Sequence, residues 1–406
     1  MTNPAAVAKP RSRTLLLMVL GALSAFGPLS MDMYLPGMPG LARGLDTTDS
    51  LAQFTISACM IGLAIGQLLS GPMSDKIGRR IPLIIGVAVF VVASLVCAAS
   101  PTIAVLLVAR FIQGLAGAAG IVISRAVVRD LYSQDEAARV FSRLMLVTGV
   151  APVVAPIFGG ALLLVTDWRG IFVALAVIGA VLLVAAVLVV PDSLADENRH
   201  EGGLASQLIS MGRLFKDRPF VGYALASGVG GCVLFAYISM SSLVLQDDFG
   251  VSAQSFSFIF AANSLGIVAA SQINAALVSR VPLRTLLIAA LVVSGAASVV
   301  TSISATLGMG LFFVLIPVFI AVAAQGFIFP NTTALALGPY ARGAGAAAAV
   351  LGTMQFLVGA IVPPLVSLGG TTALSMGVTM LVSAVLALVV LLTLTGDRRR
   401  STAADL

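Results

Sequence analysis

Asp32 stands where an acid is expensive, at the end of a long apolar run, in Met31-Asp32-Met33-Tyr34-Leu35-Pro36. The other sixteen of the 17 Asp and Glu residues can be placed in loops or tails. An ionised carboxylate in hydrocarbon costs about 2.5–3.5 kcal/mol on insertion scales, so an acid kept there points to a function such as carrying a proton. The structural alternative is that Asp32 marks the outer end of the run and touches water. Arg110 is the basic counterpart, alone among the Lys and Arg residues in lying inside an apolar run. A buried guanidinium must be paired or strongly hydrogen-bonded, and its candidate partners are Asp32, Gln113 and backbone carbonyls. Its alternative is to snorkel to an interface. Burial penalises a charged carboxylate and a nearby guanidinium favours it. Protonation of such an acid would therefore respond to conformation and to bound ligand.

The rest of the composition says what holds these groups. Of 406 residues, 59% are hydrophobic and 10% charged, with a mean hydropathy of +1.08. A soluble domain carries about 25% charged residues, so lipid solvates this exterior. Cys59, Cys97 and Cys232 lie far apart in apolar runs and fit neither a disulfide framework nor a metal site. His200 is the only histidine and lies in a loop, which excludes a histidine-based metal or catalytic centre. The net charge of +6 comes from basic residues scattered at the ends of apolar runs, a mark of membrane topology and not of nucleic-acid binding.

Crossing a core of about 30 Å takes about 20 apolar residues. Such runs fall near 14–36, 51–73, 81–99, 102–124, 140–163, 169–191, 219–244, 253–278, 284–303, 306–330, 344–368 and 371–395, about twelve in all. The first is too long for a signal peptide and lacks a small-residue cleavage site, so it is expected to be an uncleaved span. With both termini cytoplasmic, 20 of the 23 Lys and Arg residues fall inside, and only Arg43 and Arg169 outside. That bias supports the orientation and the even number of spans. Arg outnumbers Lys 20 to 3, a hint of a GC-rich bacterium.

The polar stretch 192–218 divides the runs six and six, giving an expected N-terminal bundle over 1–191 and a C-terminal bundle over 219–406. A weak repeat relates the halves. Arg110-Phe111-Ile112-Gln113-Gly114 is echoed by Val322-Ala323-Ala324-Gln325-Gly326, and the Gly/Pro-rich tract 149–160 by 359–370. The echo is unequal, since Val322 takes the place of Arg110. Two such halves with a site at mid-membrane are a transporter architecture.

After the second run comes Gly71-Pro72-Met73-Ser74-Asp75-Lys76-Ile77-Gly78-Arg79-Arg80. Glycines at 71 and 78 permit a tight turn and close helix approach, and Asp75 with the arginines can pair with neighbouring helix ends. The stretch resembles the loop 2–3 signature of the major facilitator superfamily. The fourth run resembles that family's second motif through Arg110, Gln113, Gly114 and Gly117. At its far end the resemblance implies a cytoplasmic gating latch between Arg79 and Asp130. Gly149, Pro152, Pro156, Gly159 and Gly160 of the fifth run resemble its antiporter motif, with Ala155 where that motif has glycine. Glycine and proline at this density let a helix bend and pack closely. The implied fold is all-α, with 12 transmembrane helices in two pseudo-symmetric bundles.

A finer resemblance, to the bicyclomycin-resistance (Bcr/CflA) drug exporters, rests on 32–36, 167–169, 256–263 and 327–331. It implies a drug/proton antiporter of a bacterial inner membrane, with chloramphenicol and florfenicol among its class of substrates. Asp32 is then the proton carrier, by elimination as well as by resemblance, and Arg110 tunes it. By position, the candidate pocket residues are Met33, Tyr34, Gln113, Phe235, Tyr237, Asn263, Gln325 and Gln355, each of which also has a purely structural reading. One acid in the spans favours neutral, zwitterionic or weakly polar substrates over dications.

The expected partners are a small-molecule drug, protons and the bilayer. No cofactor, nucleic acid or obligate protein partner is expected, and the chain reads as a monomer driven by the proton gradient. Three alternatives stand beside this reading: proton-coupled uptake or export of a metabolite by the same fold, a non-transporting sensor, and an ATP-driven pump. The last is disfavoured by the lack of a G-x-x-x-x-G-K-[ST] motif. An enzyme would need a catalytic set that one lone Asp does not make.

Overall fold

The computed structural model describes residues 13–132, 134–194, 212–340 and 344–395. The expected linker at 192–218 lies outside them over 195–211, as do Lys9, Arg11, Arg199, Arg342 and Arg398 to Arg400. The regular elements described are helical: α1 Arg13–Ser24, α2 Phe26–Asp32, α3 Met38–Gly44, α4 Asp49–Ile77, α5 Arg80–Ala99, α6 Ile103–Leu131, α7 Gln134–Leu162 and α8 Trp168–Val189. They continue as α9 Arg218–Leu243, α10 Ala253–Leu277, α11 Leu283–Thr306, α12 Leu311–Ala323, α13 Gln325–Leu337, α14 Ala344–Ser367 and α15 Ala373–Leu394.

Among the described residues, ten spans are long and apolar enough to cross a membrane, α12 and α13 counting as one. With the bent α1–α3 segment and the apolar stretch Leu146–Leu162 of α7, they fall on the twelve apolar runs. Several boundaries differ from the sequence reading. The first run is broken after Ser24 and bends by 40°. The tenth begins at Leu311 and not at 306, because Gly308, at φ +61°, turns the chain first. The fourth continues to Leu131, past the apolar stretch, since helical hydrogen bonding need not stop where hydrocarbon does.

The chain divides into two compact units, Met1–Thr47 with Ala58–Ser206, and Thr48–Ser57 with Gln207–Leu406. The division therefore falls within α4, and its first turns go with the second unit. In the first unit Leu16, Leu20, Phe26, Val87, Phe90 and Ile123 share one core, with the Phe26 and Phe90 rings stacked 4.3 Å apart. Phe220, Ala226, Leu287, Leu291, Ile328 and Leu391 belong to the core of the second. Large apolar side chains such as Phe312 and Leu188 face outward, as lipid contact allows.

The weak repeat is a packing repeat. A Cβ on Gly114 of α6 would stand 2.0 Å from the Cys59 carbonyl oxygen of α4. A Cβ on Gly326 of α13 would stand 2.3 Å from the Ile267 carbonyl oxygen of α10. Each Gln-Gly pair thus fixes a backbone-to-backbone contact that only glycine permits. The tracts in α7 and α14 are packed at different positions: Gly159 presses on the Met33 carbonyl and Gly359 on the Phe235 ring, whereas Gly149, which pairs with Gly359 in the repeat, has nothing within 4 Å. The repeat differs where α6 is continuous and its counterpart is broken at Ala324 into α12 and α13.

Candidate functional site

Asp32 is the last residue of α2, past the bend in the first span, and is 5% exposed. It does not sit in open water. Among the described residues no hydrogen bond or ion pair reaches its carboxylate.

Arg110 is fully buried, which excludes snorkelling. Its Nη1 donates to the Ser30 carbonyl oxygen at 2.8 Å and to Gln113 Oε1 at 2.5 Å. The guanidinium lies 4.5 Å from the centre of the Tyr34 ring and 5.5 Å from that of Phe172. Of the three candidate partners, Gln113 and a backbone carbonyl are engaged, and Asp32 forms no ion pair with it. The π faces offer negative electrostatic potential without a second formal charge. Gln113 Nε2 donates in turn to Ser94 Oγ at 2.7 Å, and Ser94 to the Phe90 carbonyl oxygen at 2.7 Å. A relay of neutral groups therefore links α5, α6 and α2 around one cation. Serine–carbonyl bonds of this kind keep hydroxyls satisfied where water is absent.

The first unit gathers Asp32, Met33, Tyr34, Arg110 and Gln113 of the candidate residues, and the second gathers the others. There Tyr237 stacks on Phe260 at 5.3 Å, and Phe235 lies 6.0 Å from Phe356. Asn263 Nδ2 donates to the Ile259 carbonyl oxygen at 2.9 Å, and Gln325 Nε2 to that of Gly230 at 3.2 Å. A carbonyl only accepts, so the other heteroatom of each amide is its oxygen. Asn263 Oδ1 and Gln325 Oε1 are buried and accept no hydrogen bond among the described residues. Gln355 is half-buried and donates to Ser227 Oγ at 2.6 Å. In α7, Pro152 and Pro156 are accommodated within one helix, Gly159 and Gly160 are buried, and nothing lies within 4 Å of a Cβ built on Gly149.

Around the loop signature, Gly71 lies within α4, which ends at Ile77, and Gly78 takes φ +100°. Arg79 is buried between two carboxylates: its Nε donates to Asp130 Oδ2 at 2.9 Å and its Nη1 to Asp75 and to Ser74 Oγ, the latter at 2.8 Å. Burial alone would lower the arginine's proton affinity, but the bonds to Asp130 and Asp75 raise it above its ordinary value. Arg80 Nη2 caps α8 through the Val187 carbonyl oxygen at 2.7 Å. The sequence reading missed two participants. Asp192 Oδ1 accepts the Arg79 backbone N–H at 2.9 Å, and Ser193 Oγ donates to Asp130 Oδ2 at 2.9 Å. Their only signal was an Asp-Ser pair directly after the sixth apolar run.

The chain belongs to the Major Facilitator Superfamily, whose model matches residues 18–363. It is a membrane transporter of that family and not an enzyme. It is 40% identical over 390 residues to a protein named uncharacterized MFS-type transporter YdgK of Bacillus subtilis (strain 168), covering 96% of this chain and 97% of the relative. A bicyclomycin resistance protein homolog of Haemophilus influenzae is 32% identical over 357 residues, 88% of this chain and 90% of that one. Among solved structures, the fold is similar to that of a D-xylose-proton symporter, with a TM-score of 0.70 at 16% identity over 92% of this chain and 96% of the other.

Proposed function

We propose that the protein is a proton-coupled exporter of small drugs, of the bicyclomycin-resistance (Bcr/CflA) type, working by alternating access in a bacterial inner membrane. The observation that carries this reading is Asp32, a buried acid two residues after the Ser30 carbonyl that helps hold a buried cation with neutral partners. An acid not locked in an ion pair can gain and lose a proton as its surroundings change. Arg110 tunes that exchange through its field and by holding the backbone of α2 two residues away. The name of the Haemophilus relative supports a drug as cargo. In this reading the cargo is an amphenicol- or bicyclomycin-like molecule, no cofactor takes part, and the working form is a monomer.

The two unengaged amide oxygens of the second unit, on Asn263 and Gln325, favour a neutral cargo carrying hydroxyl or amide N–H donors. The test uses purified protein in proteoliposomes with an imposed pH gradient, offered chloramphenicol, florfenicol and bicyclomycin. Gradient-driven transport that disappears in Asp32→Asn while drug binding persists is the expected result. Undiminished transport in that variant would remove Asp32 from the coupling. An importer would instead accumulate its ligand on the cytoplasmic side.

A further inference from the structure

The lipid-facing side of α5 and α6 carries a groove of about 280 Å³. Its lining is apolar, with Ala88, Val92, Ala93 and Val96 from α5 and Ala109 and Ile112 from α6. Ala93 and Ala109 are buried at its floor, while Val92, Val96 and Ile112 stand exposed at its rims. From Ala88 to Val96 the groove follows about 12 Å of helix. That is close to the hydrocarbon depth of one leaflet, half of a core of about 30 Å. Lipid tails are as apolar as these side chains, so burial alone selects no occupant.

A cation at the end of α5 can do the selecting. Arg169, in the first turn of α8, donates from Nη1 to the carbonyl oxygens of Ser100 at 2.9 Å and Ala98 at 3.2 Å. Its guanidinium lies over the Trp168 ring at 4.2 Å. These contacts hold the fork in place, and no described residue takes up its Nε or Nη2 N–H groups. Trp168, the chain's only tryptophan, suits the membrane–water boundary. The neighbouring Asp167 carboxylate is engaged in capping α8, accepting the Arg169 backbone N–H at 3.0 Å. A groove of leaflet depth therefore ends, about one helical turn beyond Val96, at a held cation with donors to spare.

We propose that this groove is the site of one anionic phospholipid, with an acyl chain between α5 and α6 and its phosphate on Arg169. The inference needs the membrane transporter but not a drug as its cargo. The groove backs onto the seam that carries the Arg110 relay: Ser94 follows Ala93, Arg110 follows Ala109 and Gln113 follows Ile112. A held chain braces that seam from the lipid side.

Native mass spectrometry of the purified, delipidated protein tests the site without a transport assay. The probes are dioleoyl phosphatidylglycerol, phosphatidylethanolamine and phosphatidylcholine. One phosphatidylglycerol is expected to bind about tenfold more tightly than either neutral lipid, the gain of one charge-assisted contact. Arg169→Gln should erase that preference and leave phosphatidylcholine binding as it was. Asp167→Asn, which keeps the helix cap, should sharpen the preference by removing a like charge. Val92→Trp, at an exposed rim position, should weaken all three lipids by filling the groove. Equal binding of the three lipids, a preference that survives Arg169→Gln, or unchanged binding in Val92→Trp would each overturn the proposal. Tighter binding of phosphatidylethanolamine would overturn the anionic assignment. A dimer lost in Val92→Trp would make the groove a contact between copies and overturn the lipid site.

Discussion

Arg110 donates to the carbonyl oxygen of Ser30 at 2.8 Å, two residues before Asp32, and not to the Asp32 carboxylate. The cation is held by dipoles and ring faces, so the acid is left outside its hydrogen-bond set. Under the proposed function, a conformational change could alter the surroundings of Asp32 without breaking an ion pair.

That arrangement makes the shape of the cation matter. Lysine keeps the charge but lacks the planar fork that reaches Ser30 and Gln113 while lying over Tyr34. Arg110→Lys should lower gradient-driven transport at least about tenfold, and Arg110→Ala should also cost stability by about 2–4 kcal/mol through an emptied, polar-walled site. Transport assays and thermal unfolding in detergent would check both. Wild-type transport in the lysine variant would show that charge alone suffices.

The turn at Gly78 is constrained twice over. Its φ of +100° suits glycine, and a Cβ there would lie 2.4 Å from Asp192 Oδ2. Gly78→Ala should destabilise the protein by about 1–3 kcal/mol. Removing the clash in Gly78→Ala/Asp192→Ala should leave the backbone strain in place. Unfolding curves of the two variants separate the contributions.

The latch should act on turnover. Asp130 accepts from both Arg79 and Ser193, and Asp75 from Arg79. Asp130→Asn and Asp75→Asn should each slow transport about tenfold or more with drug affinity nearly kept, because a charge-assisted bond to the buried Arg79 is lost and neither acid is a pocket candidate. Equal loss of binding and turnover would count against a gating role.

Glycine substitutions offer an internal control. Gly114→Ala and Gly326→Ala should each abolish well-folded protein, judged by monodisperse yield, since the new methyl group would meet a carbonyl oxygen. Gly149→Ala should express normally, with nothing within 4 Å of its Cβ. A failure at position 149 would mean its glycine serves motion and not packing.

Pocket chemistry is testable through the second unit. Gln325→Ala and Asn263→Ala should each weaken binding of a hydroxyl-bearing drug by about 1–2 kcal/mol, the loss of one buried hydrogen bond, and leave its O-methylated analogue unaffected. Isothermal titration with the paired ligands would read it out.

The sequence shows some of these features and hides others for physical reasons. Charge in hydrocarbon is conspicuous, so Asp32 and Arg110 stand out by composition alone. The echo of Gln113-Gly114 at Gln325-Gly326 is visible because a backbone contact admits one residue type. Partnerships across long separations leave no such trace. Ser30 holds Arg110 through its carbonyl, which every residue possesses. Asp192 joins Arg79 from 113 positions away, and Arg169 reaches Ser100 from 69 positions away. The break at Ala324 carries neither glycine nor proline, and periodicity runs straight through it.

The Gln-Gly contact, built twice, also bears on how the protein can be re-engineered. In the first copy an arginine one turn earlier anchors to the backbone of α2, and in the second Val322 fills that place while Gln325 itself reaches α9. One scaffold has been wired for charge and its twin for contact. Under the proposed function, exchanging the first half with a relative should carry the charge wiring with it, while each half keeps its own Gln-Gly contact.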